Sequence, residues 1–143
     1  MFRNKVWVLL IVGLVLLAGC SGGRDPIGAV GDPVVVDQGT YTNIDPDELA
    51  LMMEEDELAL INVHIPFEGD LPETDASIPF NEIQSYLDRL PEDKSEKVVL
   101  YCRSGNMSRT ASETLLELGY TNVWNLEGGF KAWQAAGYPM AGE

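Results

Sequence analysis

The apolar and polar positions of residues 41–136 fall into short apolar runs separated by amphipathic stretches. Residues 58–63 (Leu58-Ala59-Leu60-Ile61-Asn62-Val63) and 98–101 (Val98-Val99-Leu100-Tyr101) are apolar almost without a break. That is the pattern of strands buried on both faces, as in a parallel sheet. Residues 122–126 predict another strand, and 41–44 a short first one. Asp45 as a cap, Pro46 at the first helical position and acidic Asp47 and Glu48 in the first turn predict a helix start, followed by Leu49, Met52 and Met53 on one face. Residues 81–90 predict a helix with Ile83, Tyr86, Leu87 and Leu90 inward, stopped by Pro91. Residues 108–118 predict another, with Ala111, Leu115 and Leu118 inward and Gly119 as its stop. Gly128-Gly129 opens a last short helix over 130–136, closed by Gly137, and the Pro-, Gly- and acid-rich residues 64–79 predict an irregular loop. Alternation of this kind predicts a small α/β domain, a mainly parallel central sheet with helices on both faces. Ligands of such sheets bind at the C-terminal ends of the strands.

The first 20 residues do not belong to that pattern. Arg3 and Lys5 form a basic head, residues 6–17 an apolar run too short to span a bilayer comfortably, and Leu17-Ala18-Gly19-Cys20 places small residues before a cysteine. This is the layout of a secretory signal peptide, and its ending resembles the lipobox of bacterial lipoproteins. The resemblance implies a signal peptide over 1–19, lipid on Cys20, and an exported protein held at the periplasmic or extracellular face of a membrane. An uncleaved anchor is the alternative and gives nearly the same topology. Residues 20–39 are then the lipidated cysteine and a flexible Gly-, Pro- and Asp-rich linker, and 40–143 the domain. The remaining composition, 45% apolar and 22% charged, suits one ordinary globular core. Loss of Arg3 and Lys5 takes the formal charge from −14 to −16, which argues against nucleic acid or an anionic lipid headgroup as partner.

The chain has two cysteines, and lipid on Cys20 leaves Cys102 without an intramolecular partner. Cys102 follows the strand 98–101 and opens the polar loop Arg103-Ser104-Gly105-Asn106-Met107-Ser108, after which a helix begins. Loop N–H groups and the positive end of that helix can both point at the sulfur, favouring the thiolate, which is the reactive form. Gly105 suits a turn that needs positive φ. The alternative, a buried and inert cysteine, fits poorly with so polar a loop.

Several motifs together resemble a rhodanese domain, from residue 41 to 140. They are Asp45-Pro46-Asp47-Glu48-Leu49, Leu60-Ile61-Asn62-Val63-His64, Ile78-Pro79-Phe80-Asn81-Glu82-Ile83, Val98 through Gly105, and Leu126-Glu127-Gly128-Gly129-Phe130-Lys131-Ala132-Trp133. The resemblance implies sulfur transfer through a persulfide on Cys102, with Arg103, Ser104, Gly105, Asn106, Met107 and Ser108 as the substrate-binding loop. It implies a small donor (thiosulfate, polysulfide or persulfide), a thiol or cyanide acceptor, and no metal or organic cofactor. The chain departs from the family in three places. Met107 stands where many members have Arg, Asn62-Val63-His64 where Asp-Val-Arg is common, and residues 65–77 lack the usual Gly-His-Ile pattern. Asn62, His64 and Arg109 are accessory candidates. A non-catalytic binding or sulfur-sensing module is a second reading. A phosphatase or arsenate reductase is a third, although its signature needs Arg six positions after the cysteine, where this chain has Ser108. Trp124 and Trp133 are expected in packing.

Overall fold

The computed structural model describes residues 30–143; the expected signal peptide, Cys20 and the first part of the linker lie outside the described residues. In chain order the elements are β1 (Asp32–Val36), β2 (Gly39–Ile44), α1 (Pro46–Glu55), β3 (Ala59–Asn62), β4 (Ala76–Ser77), a 3-10 helix (Ile83–Arg89), β5 (Val98–Tyr101), α2 (Asn106–Glu117), β6 (Val123–Leu126) and α3 (Gly129–Ala135). The six strands form one sheet in the order β1-β2-β6-β5-β3-β4. All pairings are parallel except β1 with β2. The small α/β fold with a mainly parallel sheet is therefore as expected.

Each face of the sheet carries its own core, because alternate strand residues point to opposite sides. Ile61, Val63, Leu100 and Cys102 pack with Ile83 of the 3-10 helix and with Ala111 and Leu115 of α2. Leu60, Val99 and Tyr101 pack on the other side with Leu49 and Met52 of α1 and Phe130 and Trp133 of α3. All four residues of β5 are fully buried, as the unbroken apolar run requires of the strand in the middle of the layer. The start of α1 is a complete capping box. Asp45 accepts from the Glu48 N–H at 2.8 Å, and Glu48 accepts from the Asp45 N–H at 2.9 Å.

Three expectations need correction. Residues 32–36, read as linker, are a strand, because Val34 and Val36 lie against the α2-side core while Val35 points out. The alternation is only five residues long and sits among Pro, Gly and Asp, so it was masked by linker-like composition. Residues 81–90, read as an α-helix, instead form a 3-10 helix interrupted at Tyr86. Within it only Ile83 is buried, Leu90 is buried just after its end, and Leu87 is exposed. Residues 64–79 are irregular as expected except for β4, which pairs with β3 through Ile61↔Ala76 and Asn62↔Ser77.

Removing β1 uncovers the edge of β2 and the contacts of Val34 and Val36. A chain starting at residue 39 is expected to be less stable than one starting at residue 30 by about 2 kcal/mol, from burial of two valines at roughly 1 kcal/mol each. Thermal unfolding followed by circular dichroism should show a Tm about 8 °C lower or more. Equal melting temperatures would mean that β1 contributes nothing to the fold.

Candidate active site

Strand β5 ends inside the layer and delivers Cys102 to the C-terminal edge of the sheet. The residue is 1% exposed, with its side chain on the α2 side. Gly105 follows as the N-cap of α2 with φ of 97°, in the left-handed region. That turn sends the Gly105 N–H back onto the Cys102 Sγ at 3.0 Å. Ser108, fully buried in the first turn of α2, places its Oγ 3.5 Å from Sγ and 3.1 Å from the Gly105 carbonyl. Its single proton can serve only one of these acceptors at a time. Burial pushes the Cys102 thiol up, but the Ser108 hydroxyl and the N–H groups of Ser108, Ser104 and Gly105 outweigh it, holding the thiol below its ordinary value. The loop is thus built to carry a sulfur anion with donors already in place.

A second helix holds the loop from behind. The Phe130 N–H donates to the Cys102 carbonyl at 2.9 Å and the Lys131 N–H to the Arg103 carbonyl at 3.1 Å. These are donors of the first turn of α3, which have no partner within their own helix. Gly129, at φ of 60°, permits the approach: a Cβ there would lie 2.2 Å from the Cys102 carbonyl oxygen. Gly105 is fitted to the same turn, since its own Cβ would lie 3.2 Å from the Gly128 nitrogen. The glycine pair 128–129, read from sequence only as the opening of a helix, is the part of the site that sequence reasoning missed. Its one signal was the doubling of glycine immediately before an apolar helix.

The remaining candidates are distributed unevenly around the sulfur. Arg103 and Ser104 are exposed, Asn106 is exposed, and Met107 is half-buried against the α2-side core. Arg103 turns its Nε toward Glu68 at 3.7 Å, and Arg109 its guanidinium toward Glu127 at 3.4 Å. His64 places Nε2 2.5 Å from the same Glu68 oxygen and lies edge-on to Phe130, while its buried Nδ1 has no partner. Asn62 is buried and serves the neighbouring loop. Its amide donates to the Gly69 carbonyl and to Asp70, and its oxygen accepts from the His64 N–H. Asp70 also accepts from Ser77 and from the Tyr101 hydroxyl, which in turn accepts from the Leu71 N–H. Burial pushes that phenol well above its usual range, so it remains a neutral hydrogen-bonding group. Asn62 is therefore a staple for residues 69–77. A depression of about 380 Å³ opens beside the cysteine loop, lined by Glu68, Arg103, Phe130, Lys131, Met140 and Glu143 among others. Among the described residues no three His, Cys, Asp or Glu side chains converge as a metal site.

This loop on this sheet order can be set against known proteins. Residues 45–136 match the family described as the rhodanese-like domain. The chain belongs to that family. It is 34% identical over 101 residues to a protein of Allochromatium vinosum named sulfurtransferase, covering 68% of this chain and 92% of that one. It is 32% identical over 102 residues to an uncharacterised Synechocystis protein, covering 70% of this chain but only 56% of the relative. Among solved structures, a rhodanese-related protein from Thermoplasma volcanium superposes with a TM-score of 0.61 at 30% identity, covering 72% of this chain and all of the other. Membership of a family whose relatives are named sulfurtransferase fits the loop geometry. At the sixth position of the loop, where the phosphatase signature needs Arg, Ser108 faces the sulfur while Arg109 pairs with Glu127.

Replacing Ser108 by Ala removes a hydroxyl donor from the sulfur, so less thiolate should be present at neutral pH. Alkylation of Cys102 by iodoacetamide should slow several-fold at neutral pH, and the midpoint of its pH profile should move upward. An unchanged profile would show that the hydroxyl stays on the Gly105 carbonyl and does not support the anion.

Proposed function

We propose that the protein is an exported, membrane-tethered sulfurtransferase that moves a sulfane sulfur through a persulfide on Cys102. The observation that carries the reading is a thiol held below its ordinary value by inward-pointing backbone and hydroxyl donors. The Cys102 thiolate attacks the outer sulfur of thiosulfate, the S–S bond breaks, and sulfite leaves with the electron pair, leaving Cys102 as a persulfide. An acceptor thiolate then attacks the outer sulfur, forms its own persulfide and returns Cys102 as thiolate; cyanide in the same role leaves as thiocyanate. The loop N–H groups aimed at Sγ stabilise the thiolate of Cys102 twice, as the attacking group when sulfur is taken up and as the leaving group when the persulfide is discharged. A polysulfide or a small organic persulfide reacts in the same way, with sulfide chain or thiol as leaving group. The basic head, apolar run and Leu17-Ala18-Gly19-Cys20 support export and a lipid on Cys20.

The choice of donor is shaped by charge. Thiosulfate is a dianion, and the two arginines of the loop region are each engaged with a carboxylate, while Met107 offers no donor. The same observation favours a second reading, a sulfur-sensing or docking module that accepts sulfur on Cys102 but does not turn over thiosulfate.

Exposure of the protein to thiosulfate or polysulfide should add one sulfur atom to Cys102 by mass spectrometry, and cyanide or a thiol should then discharge it. If Cys102→Ser takes up and discharges sulfur as the wild type does, the enzyme reading is lost; uptake without discharge selects the sensing module. Met107→Arg should raise the rate with thiosulfate more than the rate with an organic persulfide that carries no other charge. Equal gains on the two donors would sink the charge argument. Cys20→Ser should abolish metabolic labelling by fatty acid, and a labelled Cys20→Ser protein would rule out lipid on that residue.

A further inference from the structure

The direction of β1 decides which way the domain points. β1 runs antiparallel to β2, with Asp32 opposite Asn43 and Val36 opposite Gly39. β2, β6, β5 and β3 are parallel and end together at Ile44, Leu126, Tyr101 and Asn62. The start of β1 therefore lies at the edge of the sheet where Cys102 emerges. The chain is pinned there as it enters. The Gly31 N–H donates to Glu48 at 2.8 Å, on the side chain that also caps α1. Gly31 has φ of 76°, and a Cβ on it would lie 2.5 Å from the Asn43 carbonyl oxygen. The N-terminal segment thus leaves from a fixed point on the catalytic edge, three strand spacings from β5 in the sheet order, about 15 Å.

Ten residues lie between Cys20 and Gly31, and the eleven Cα-to-Cα steps span at most about 40 Å even fully extended. Turning the domain over, so that the opposite edge met the membrane, would use at least about half of that length to run back past strands of up to six residues, roughly 20 Å. On the catalytic edge the loop after β3 carries Phe67, whose side chain is 63% exposed, next to Glu68, which meets Arg103 of the cysteine loop. An exposed aromatic next to polar groups suits the headgroup boundary of a bilayer.

Resting on the membrane-tethered reading above, we propose that the catalytic edge is the membrane-facing edge: Phe67 and its loop sit at the lipid headgroup boundary, and Cys102 exchanges sulfur with partners held at the membrane surface. The acidity of the whole chain makes an uncharged or zwitterionic surface the fitting one, with contact through Phe67 in place of a basic patch. A thiol displayed at the membrane surface is then presented to Cys102 at high local concentration, while a thiol in bulk solution gains nothing from the tether.

The test uses the full-length chain in phosphatidylcholine vesicles, where either the apolar segment 6–17 or a lipid on Cys20 supplies the tether. In a Trp7→Phe background, Phe67→Trp is compared with Glu92→Trp, which lies in the turn before β5 on the opposite edge. Bromine on the acyl chains should quench the added emission of the tryptophan at 67 and leave that at 92 unchanged. Equal quenching at both sites, quenching at 92 alone, or quenching at neither overturns the proposal. A second arm inserts a long Gly/Ser segment after Gly28 and measures discharge of the Cys102 persulfide. Transfer to a thiol on a vesicle lipid should fall several-fold while transfer to a soluble thiol stays constant; an unchanged ratio counts against the orientation. Failure of the underlying reading shows separately, as absence of Cys102 persulfide or of any vesicle-bound protein.

Discussion

The site depends on one contact between two loops: the first turn of α3 donating its Phe130 and Lys131 N–H groups to the carbonyls of Cys102 and Arg103. A peptide unit whose carbonyl is held on one side must present its N–H groups on another, and here that other side contains the sulfur. The consequence runs through Gly105, whose positive φ aims its N–H at Sγ while its own carbonyl accepts from Ser108 and Arg109. Each of these bonds satisfies a group that would otherwise be buried without a partner, at a cost of about 1–3 kcal/mol each. The geometry that stabilises a sulfur anion is therefore the same geometry that closes the backbone hydrogen-bonding of the fold.

Much of this could be read from the chain beforehand, for reasons that differ by element. β5 and β3 were legible because strands buried on both faces have no polar face to confuse the pattern, and α1 because its cap chemistry is local. The cysteine loop was legible because a polar run directly after a buried strand has few structural uses. β1 was not, since only Val34 and Val36 pack and their signal is shorter than the composition around them. The 3-10 helix was not, since apolar spacing distinguishes poorly between 3.0 and 3.6 residues per turn over seven residues. The role of Gly129 was out of reach, because it is defined by the Cys102 carbonyl, 27 positions earlier in the chain.

The accessory candidates Asn62, His64 and Arg109 are each bound into contacts with neighbouring loops. Asn62 occupies a fully buried place and makes three hydrogen bonds, so it holds the 69–77 loop as a neutral group, with Asp70 supplying the negative charge nearby. His64 and Arg103 share Glu68, which draws the arginine off toward the loop of residues 64–69. Arg109 is drawn off in the same way by Glu127. These surface pairs are each worth little to stability, at most about 1 kcal/mol, but they decide where two guanidinium groups spend their time.

Stabilisation by backbone donors, with the cations occupied elsewhere, has a chemical consequence of its own. A backbone N–H carries partial charge and acts at short range, so it supports an anion centred on one sulfur atom far better than a diffuse dianion several ångströms away. An arginine fork does the reverse: it recognises planar or tetrahedral oxyanions bidentately and adds little to a single sulfur. The loop of this chain keeps the first device and dispenses with the second. Such a site favours the Cys102 thiolate over the thiol, while Glu68, Arg103, Phe130 and Lys131 line the depression beside it. Stabilisation of the sulfur anion and the charge of its surroundings are thus carried by separate parts of the structure, the first by the cysteine loop with its Ser108 hydroxyl and the second by the side chains of the residues around it.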